Sequence, residues 1–317
     1  MGHQQVFLSL MGDIIDEKTI LVDEMVEDFH EKLQDSCEML GKIVDKGELM
    51  LENDSGFEFL PFCCSGGDEA KFDFVWVGMN PGIAKGRWPK RFYWDRTKWQ
   101  DMVDFYIPKG KVSEYNNKRP QESTNIYQWI AEDGVWSDFY RLMIRIHFAL
   151  LGNREYRTWK DFQDACGDEK QVSKAFLKQL DTYPTLNAEL IPFKSNEIKI
   201  NAGKMVENPK YMLYLNNLLK FIDDNTKKDA WVFFFATTEV VTRLLKEQKA
   251  VKIKIADKPI SVEPKKNNGK KISGGKYFYF QYWGERKLIL SPFLQAYHDN
   301  GKDVSALIGK IKEYFKC

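Results

Sequence analysis

The chain has no apolar run near the roughly twenty residues that a membrane-spanning helix needs. Its longest such stretch, residues 231–237 (WVFFFAT), has the length of a strand. Cysteine is sparse and unpaired in pattern: Cys37, Cys63, Cys64, Cys166 and Cys317 are scattered, odd in number, and include no C-x-x-C. That argues against a zinc site, a disulfide framework and an iron–sulfur cluster. Neither G-x-G-x-x-G nor Gly-Lys-Ser/Thr occurs, which removes the common phosphate-cradling loops. The opening MGHQQVFLSLMGDIIDEK lacks a basic stretch, an A-x-A-like cleavage site and the small residue wanted for myristoylation. The expected compartment is therefore the cytosol, or the nucleus in a eukaryote. No internal repeat is visible.

What is present is ordinary in bulk and uneven in layout. The 317 residues are 43% hydrophobic and 29% charged, which suits one or two globular domains. The net charge of +1 hides an imbalance. Residues 1–56 hold 14 acidic and 4 basic side chains, so they carry −10 and the remainder carries +11. An acidic segment on a basic body points to a polyanionic partner for the body.

Residues 15–48 read as one long amphipathic helix, with Leu21, Met25, Phe29, Leu33, Cys37, Leu40 and Val44 at spacings of three and four. Residues 71–77 (KFDFVWV) form a strand ending in a turn. Residues 136–151 make a helix in which His147 lies among apolar residues as a core histidine. Residues 186–193 give a second strand broken at Pro192. A helix over 208–223, a buried strand over 231–236 and a helix over 239–248 follow. Two strands, 276–283 and 287–290, meet at Gly284, and a last helix holds Val304, Leu307, Ile308, Ile311 and Phe315. Strands alternating with helices predict a three-layer α/β/α sandwich with a mostly parallel central sheet and an N-terminal helical extension. The expected division is an acidic extension, 1–68, and an α/β domain, 69–317. Ligands of such sheets bind at the carboxyl ends of the strands, so the loops after Val77, Ile191, Ala236 and Leu290 matter most.

The first of these loops is Gly78-Met79-Asn80-Pro81-Gly82. Two glycines and a proline around one asparagine make a tight loop that would hold the Asn80 amide at the strand end. An amide can grip a water as donor and acceptor together. The stretch VGMNPG, residues 77–82, resembles the first active-site motif of the uracil-DNA glycosylase superfamily. It is most similar to that of the single-strand-selective monofunctional enzymes, and near the G-I-N-P-G of the mismatch-specific ones. The resemblance implies that Asn80 positions the water that attacks C1′ of the deoxyribose.

In that family a second strand ends in an asparagine, three residues before a proline, that reads the flipped base. Here residues 188–193 (AELIPF) put Glu189 at that place, with Asn187 one step back on the same face. An ionised carboxylate only accepts and suits the N4 amino group of a cytosine ring, whereas a protonated one also donates. A modified or damaged base is thus a better expectation than plain uracil. The family's third marker is a His-Pro-Ser-Pro loop with a wedge residue. Ser291-Pro292 resembles its second half, Phe293 falls at the wedge position, and Ile289 stands where the histidine would be. His298 lies just downstream as a possible substitute. Only these three short stretches carry the resemblance, over residues 70–316.

Residues 83–100 hold six basic residues, one acidic and five aromatic. Lys85, Arg87, Lys90 and Arg91 interleave with Trp88, Phe92 and Tyr93, a pattern that holds phosphates and stacks bases. Phe92 or Tyr93 is the candidate to stack on the base. Residues 249–276 add nine basic residues against two acidic, a further candidate phosphate contact. The expectation is a monofunctional DNA glycosylase that leaves an abasic site, in repair or in defence against modified viral DNA. It would need no metal or organic cofactor, no membrane and no obligate protein partner. Its rivals are a non-catalytic nucleic-acid-binding protein on the same fold, and a hydrolase of free nucleosides.

Overall fold

The computed structural model describes residues 2–15, 27–53, 56–57, 59–79, 99–113, 125–132, 138–152, 154–195, 199–262, 265–266, 276–292 and 302–317. First in the chain come α1 (His3–Ile15), α2 (Glu27–Gly41), β1 (Val44–Lys46), β2 (Leu49–Met50), β3 (Glu52–Asn53), β4 (Gly56–Phe57) and β5 (Phe62–Cys64). Then β6 (Phe72–Gly78) precedes α3 (Trp99–Tyr106), α4 (Ile126–Glu132), α5 (Asp138–Leu150), α6 (Trp159–Cys166) and α7 (Glu169–Thr182). β7 (Thr185–Glu189), β8 (Lys194–Ser195) and β9 (Lys199–Ile200) lead to α8 (Ala202–Glu207) and α9 (Pro209–Asn225). The last elements are β10 (Thr226–Phe235), α10 (Thr238–Glu247), β11 (Ile260–Val262), β12 (Lys265–Lys266), β13 (Lys276–Trp283), β14 (Arg286–Ser291), β15 (Lys302–Asp303) and α11 (Ser305–Phe315).

Seven strands form one sheet in the order β11-β13-β14-β10-β6-β7-β5. The inner four, β14, β10, β6 and β7, are parallel. The flanking β13, β11 and β5 are antiparallel. β6 and the last five residues of β10 are almost unbroken apolar runs because both of their faces are buried. On one face Phe74 stacks on His147 of α5 at 4.9 Å, and Trp231 meets Phe315 of α11 edge-on at 5.5 Å. On the other, Phe62 stacks on Phe221 of α9 at 4.7 Å. Helices thus cover both faces, and the molecule is an α/β sandwich on a mostly parallel sheet. Of the four parallel strands β6 comes first, β7 lies to one side of it, and β10 and β14 lie to the other. The winding reverses between β6 and β10, and that switch point is where open α/β sheets hold ligands.

The N-terminal region differs from its expected form. α2 stops at Gly41, and Val44–Lys46 instead pairs with Lys199–Ile200 as β1 and β9. Its downstream turn uses Gly47 at φ 89°, a left-handed conformation open to glycine. Residues 16–26 lie outside the described residues. α1 was not legible as an element. Eight of its 13 residues are buried, including His3 between Phe72 and Phe221. The edge strand β5 also comes from before residue 69 and pairs with β7. The second strand ends at Glu189, earlier than the expected 193, because the chain turns away toward Pro192.

A candidate site at the carboxyl ends of the parallel strands

Three separated stretches of sequence meet in one row across the sheet. Phe235 pairs with Ser291, and Gly78 pairs with Glu189. Phe234 pairs with Val77, which sets Phe235 beside Gly78. Ser291, Phe235, Gly78 and Glu189 therefore follow one another at the carboxyl ends of four parallel strands, on one face. The row behind it holds Trp76 paired with Asn187, which is paired in turn with Cys63. Phe139 of α5 stacks on Phe235 at 4.8 Å and closes that side.

Glycine at 78 makes room for a carboxyl group. A Cβ there would lie 2.5 Å from Oε2 of Glu189 and 3.1 Å from the Phe235 ring. The Glu189 backbone is fixed from two sides. Its N–H donates to the Pro61 carbonyl at 2.9 Å, and its own carbonyl accepts from the Tyr214 hydroxyl at 2.7 Å. Just beyond, Leu190 and Ile191 donate to the carbonyls of Gly78 and Met79 at 2.9 and 2.8 Å. The loops that leave β6 and β7 are thereby tied together.

The side chain is treated differently from the backbone. Among the described residues, Oε2 of Glu189 is buried without a hydrogen-bond partner, and so are both amide atoms of Asn187. Buried polar atoms are nearly always paired, so these atoms on two residues that neighbour one another on one sheet face mark a polar spot in the core. Burial pushes the Glu189 carboxyl up to about 8, so it is neutral at pH 7. Asn187 sits close enough to the Cys63 thiol and the Tyr140 hydroxyl to favour their ionised forms slightly, but burial dominates and raises both. His147 lies deeper. It shares bonds with Thr185 (2.9 Å) and Gln179 (3.2 Å), and burial lowers it to about 3, so it is a neutral core residue.

On the other side of the switch point a cavity of about 430 Å³ opens beside Met79. Its walls include Lys199, Asn201, Thr237, Glu239 and Arg243. Thr237 begins α10 without a side-chain cap bond, and Asp45 is held by Lys204 at 2.9 Å. Among the described residues no group of three or more His, Cys, Asp or Glu side chains is placed to hold a metal.

Of the expected site residues, Gly78, Met79, Asn187, Glu189, Ser291 and Pro292 gather at these strand ends. Ser291 is buried and its hydroxyl donates to the Pro292 carbonyl at 2.6 Å. Asn80, Pro81, Lys85, Arg87, Trp88, Lys90, Arg91, Phe92, Tyr93, Phe293 and His298 lie outside the described residues. The sequence did not single out Phe235, Tyr140 or Arg243. Phe235 sits in an apolar run that reads as core, Tyr140 in the apolar stripe of its helix, and Arg243 on a helix with no motif. Comparison with protein-family models, curated proteins and solved structures gives no match.

Proposed function

We propose that the protein is a monofunctional DNA glycosylase acting on a flipped, damaged or modified base. The observation that carries this reading is the single row of Gly78, Glu189 and Ser291 beside the switch point, each from a stretch that resembles a different glycosylase motif. The sandwich with its parallel core is compatible with a glycosylase-like fold. In the reaction the glycosidic C–N bond breaks as positive charge builds on the sugar. Water held by Asn80, the residue after Met79, adds at C1′ and loses a proton. The base leaves with the bonding electrons, takes up a proton, and an abasic site remains.

Glu189 in its neutral form strengthens the reading. A neutral carboxyl has one donor and one acceptor on neighbouring atoms, as an asparagine amide does. It can therefore do the work of the amide it replaces. The proton can sit on either oxygen, so it matches both a uracil-type edge (acceptor O4, donor N3–H) and a cytosine-type edge (donor N4, acceptor N3). The specific preference for cytosine that an ionised Glu189 would confer does not apply at pH 7. A repair role and a defence role against modified viral DNA both fit such a reader.

The test is base release from DNA bearing uracil, mismatched thymine, deaminated purines, or hydroxymethylated and glucosylated cytosine, read by alkali cleavage. Release abolished by Asn80→Ala is the expected result. One observation favours a second reading, a nucleic-acid-binding protein without chemistry. Ile289, where the resemblance puts a histidine, is wholly buried in β14. That reading predicts DNA binding that survives Asn80→Ala, with no base released from any substrate.

A further inference from the structure

α10 separates two concavities. Glu239, Val240 and Arg243 on one flank line the cavity at the switch point. Thr242, Leu245 and Lys246 on the other flank line a larger groove of about 670 Å³. The far wall of this groove is the segment 251–257, which leaves the end of α10 and runs toward β11. Val251, Ile253 and Ile255 of that segment pack on the core, so Lys252 and Lys254 between them are turned outward and exposed. In an extended chain they stand roughly 6.5 Å apart. Tyr279 of β13 completes the lining.

In the groove cations outnumber carboxylates among the described residues. Lys246, Lys252 and Lys254 line the groove against a single carboxylate, Asp257. None of the three lysines, nor Arg243, makes an ion pair among the described residues. Opposite-charge partners do exist on this surface, as in Lys227–Asp73 and in Lys204–Asp45 at the switch-point cavity, whose walls also carry Glu239. These cations line concave walls, where a narrow polyanionic chain reaches them and a flat lipid surface does not. A charged groove with an aromatic wall is how single-stranded nucleic acid is held without regard to sequence.

We propose that the phosphodiester backbone of a single DNA strand is drawn over α10, from Lys199 and Arg243 at the switch-point cavity to Lys246, Lys252 and Lys254 in the groove. This tract rests on the glycosylase reading and deepens it by naming the strand that is gripped beside the flipped base. A helix is about 10 Å across with its side chains, a width that a single strand covers with only a few nucleotides. The two concavities thus fall within one short stretch of strand.

The test is binding of a fluorescent 20-residue oligothymidylate to the full chain, followed by anisotropy over a range of salt. Each phosphate contact contributes about 0.7 to the slope of log K against log salt for a single strand. The combined variant Lys246→Gln, Lys252→Gln, Lys254→Gln should make the slope shallower by about 2, while the Lys→Arg triple keeps it. Lys160→Gln, Lys170→Gln, Lys174→Gln, exposed on α6 and α7, should also keep it. A Gln triple on the groove that binds with the wild-type slope overturns the tract and leaves the glycosylase reading standing. Equal loss from both Gln triples also overturns it, since net charge alone would then explain the effect. Failure of the unmodified protein to bind the oligonucleotide at low salt overturns the nucleic-acid reading itself.

Discussion

Burial raises Glu189 to about 8 in the folded protein, whereas in the unfolded chain it ionises near its ordinary value of 4.5. Between those two values the folded state holds a proton that the unfolded state has released, so stability falls as pH rises. Glu189→Gln removes this dependence. Its melting temperature should exceed that of the wild type by a margin that widens from pH 5 to pH 8; a margin constant with pH would mean the carboxyl is not held neutral. If the neutral carboxyl also reads the base, release should decline as pH climbs through about 8, and Gln at 189 should flatten that limb. Gly78→Ala acts on the same contact from the opposite side. The new methyl would sit 2.5 Å from the carboxyl oxygen and 3.1 Å from the Phe235 ring. Overpacking of this kind costs about 1–3 kcal/mol, measurable by urea denaturation.

At the scale of elements, α9 starts at Pro209 with Asn208 accepting from the Tyr211 N–H at 3.0 Å. Asn208→Ala should lower stability by about 1 kcal/mol, with the urea midpoint as the readout. α5 contributes a pH effect opposite in sign to that of Glu189. His147 stays neutral down to about 3 when folded but gains a proton near its ordinary 6.5 when unfolded, so its burial destabilises the fold increasingly as pH drops through that window. The two slopes oppose one another between about 4.5 and 6.5. The elements that could be read from sequence share a physical trait. β6, β10, β13 and α5 have a periodicity matched by their burial, or an aromatic-rich run too short for a helix. α1 has neither, because its buried residues take up most of its circumference. The two- and three-residue strands are too short to carry a period, and β5 is set by its pairing with β7. The site was legible where a motif carried it, at Gly78, Glu189 and Ser291. The pairing of a glycine with a carboxyl across two strands is a contact that no single stretch of sequence contains.

For the whole molecule, the acidic N-terminal region and the basic body are parts of one packed structure. α1 lies against α9, with Phe7 buried among Phe59, Phe62 and Tyr106. Removing residues 1–15 should therefore destabilise the sandwich outright and lower its melting temperature by circular dichroism. An unchanged melting curve would show that α1 is dispensable.

The sheet's outermost strands, β5 and β11, are three residues each, against ten for β10. Pro61 immediately precedes the first and Pro259 the second, and each lacks the N–H that would extend a ladder. Exposed strand edges are the usual template for one chain to add to another, and short, proline-bounded edges remove that template. The antiparallel flanks therefore also protect the chain against aggregation: they end a hydrophobic parallel core at borders too brief for another copy to extend.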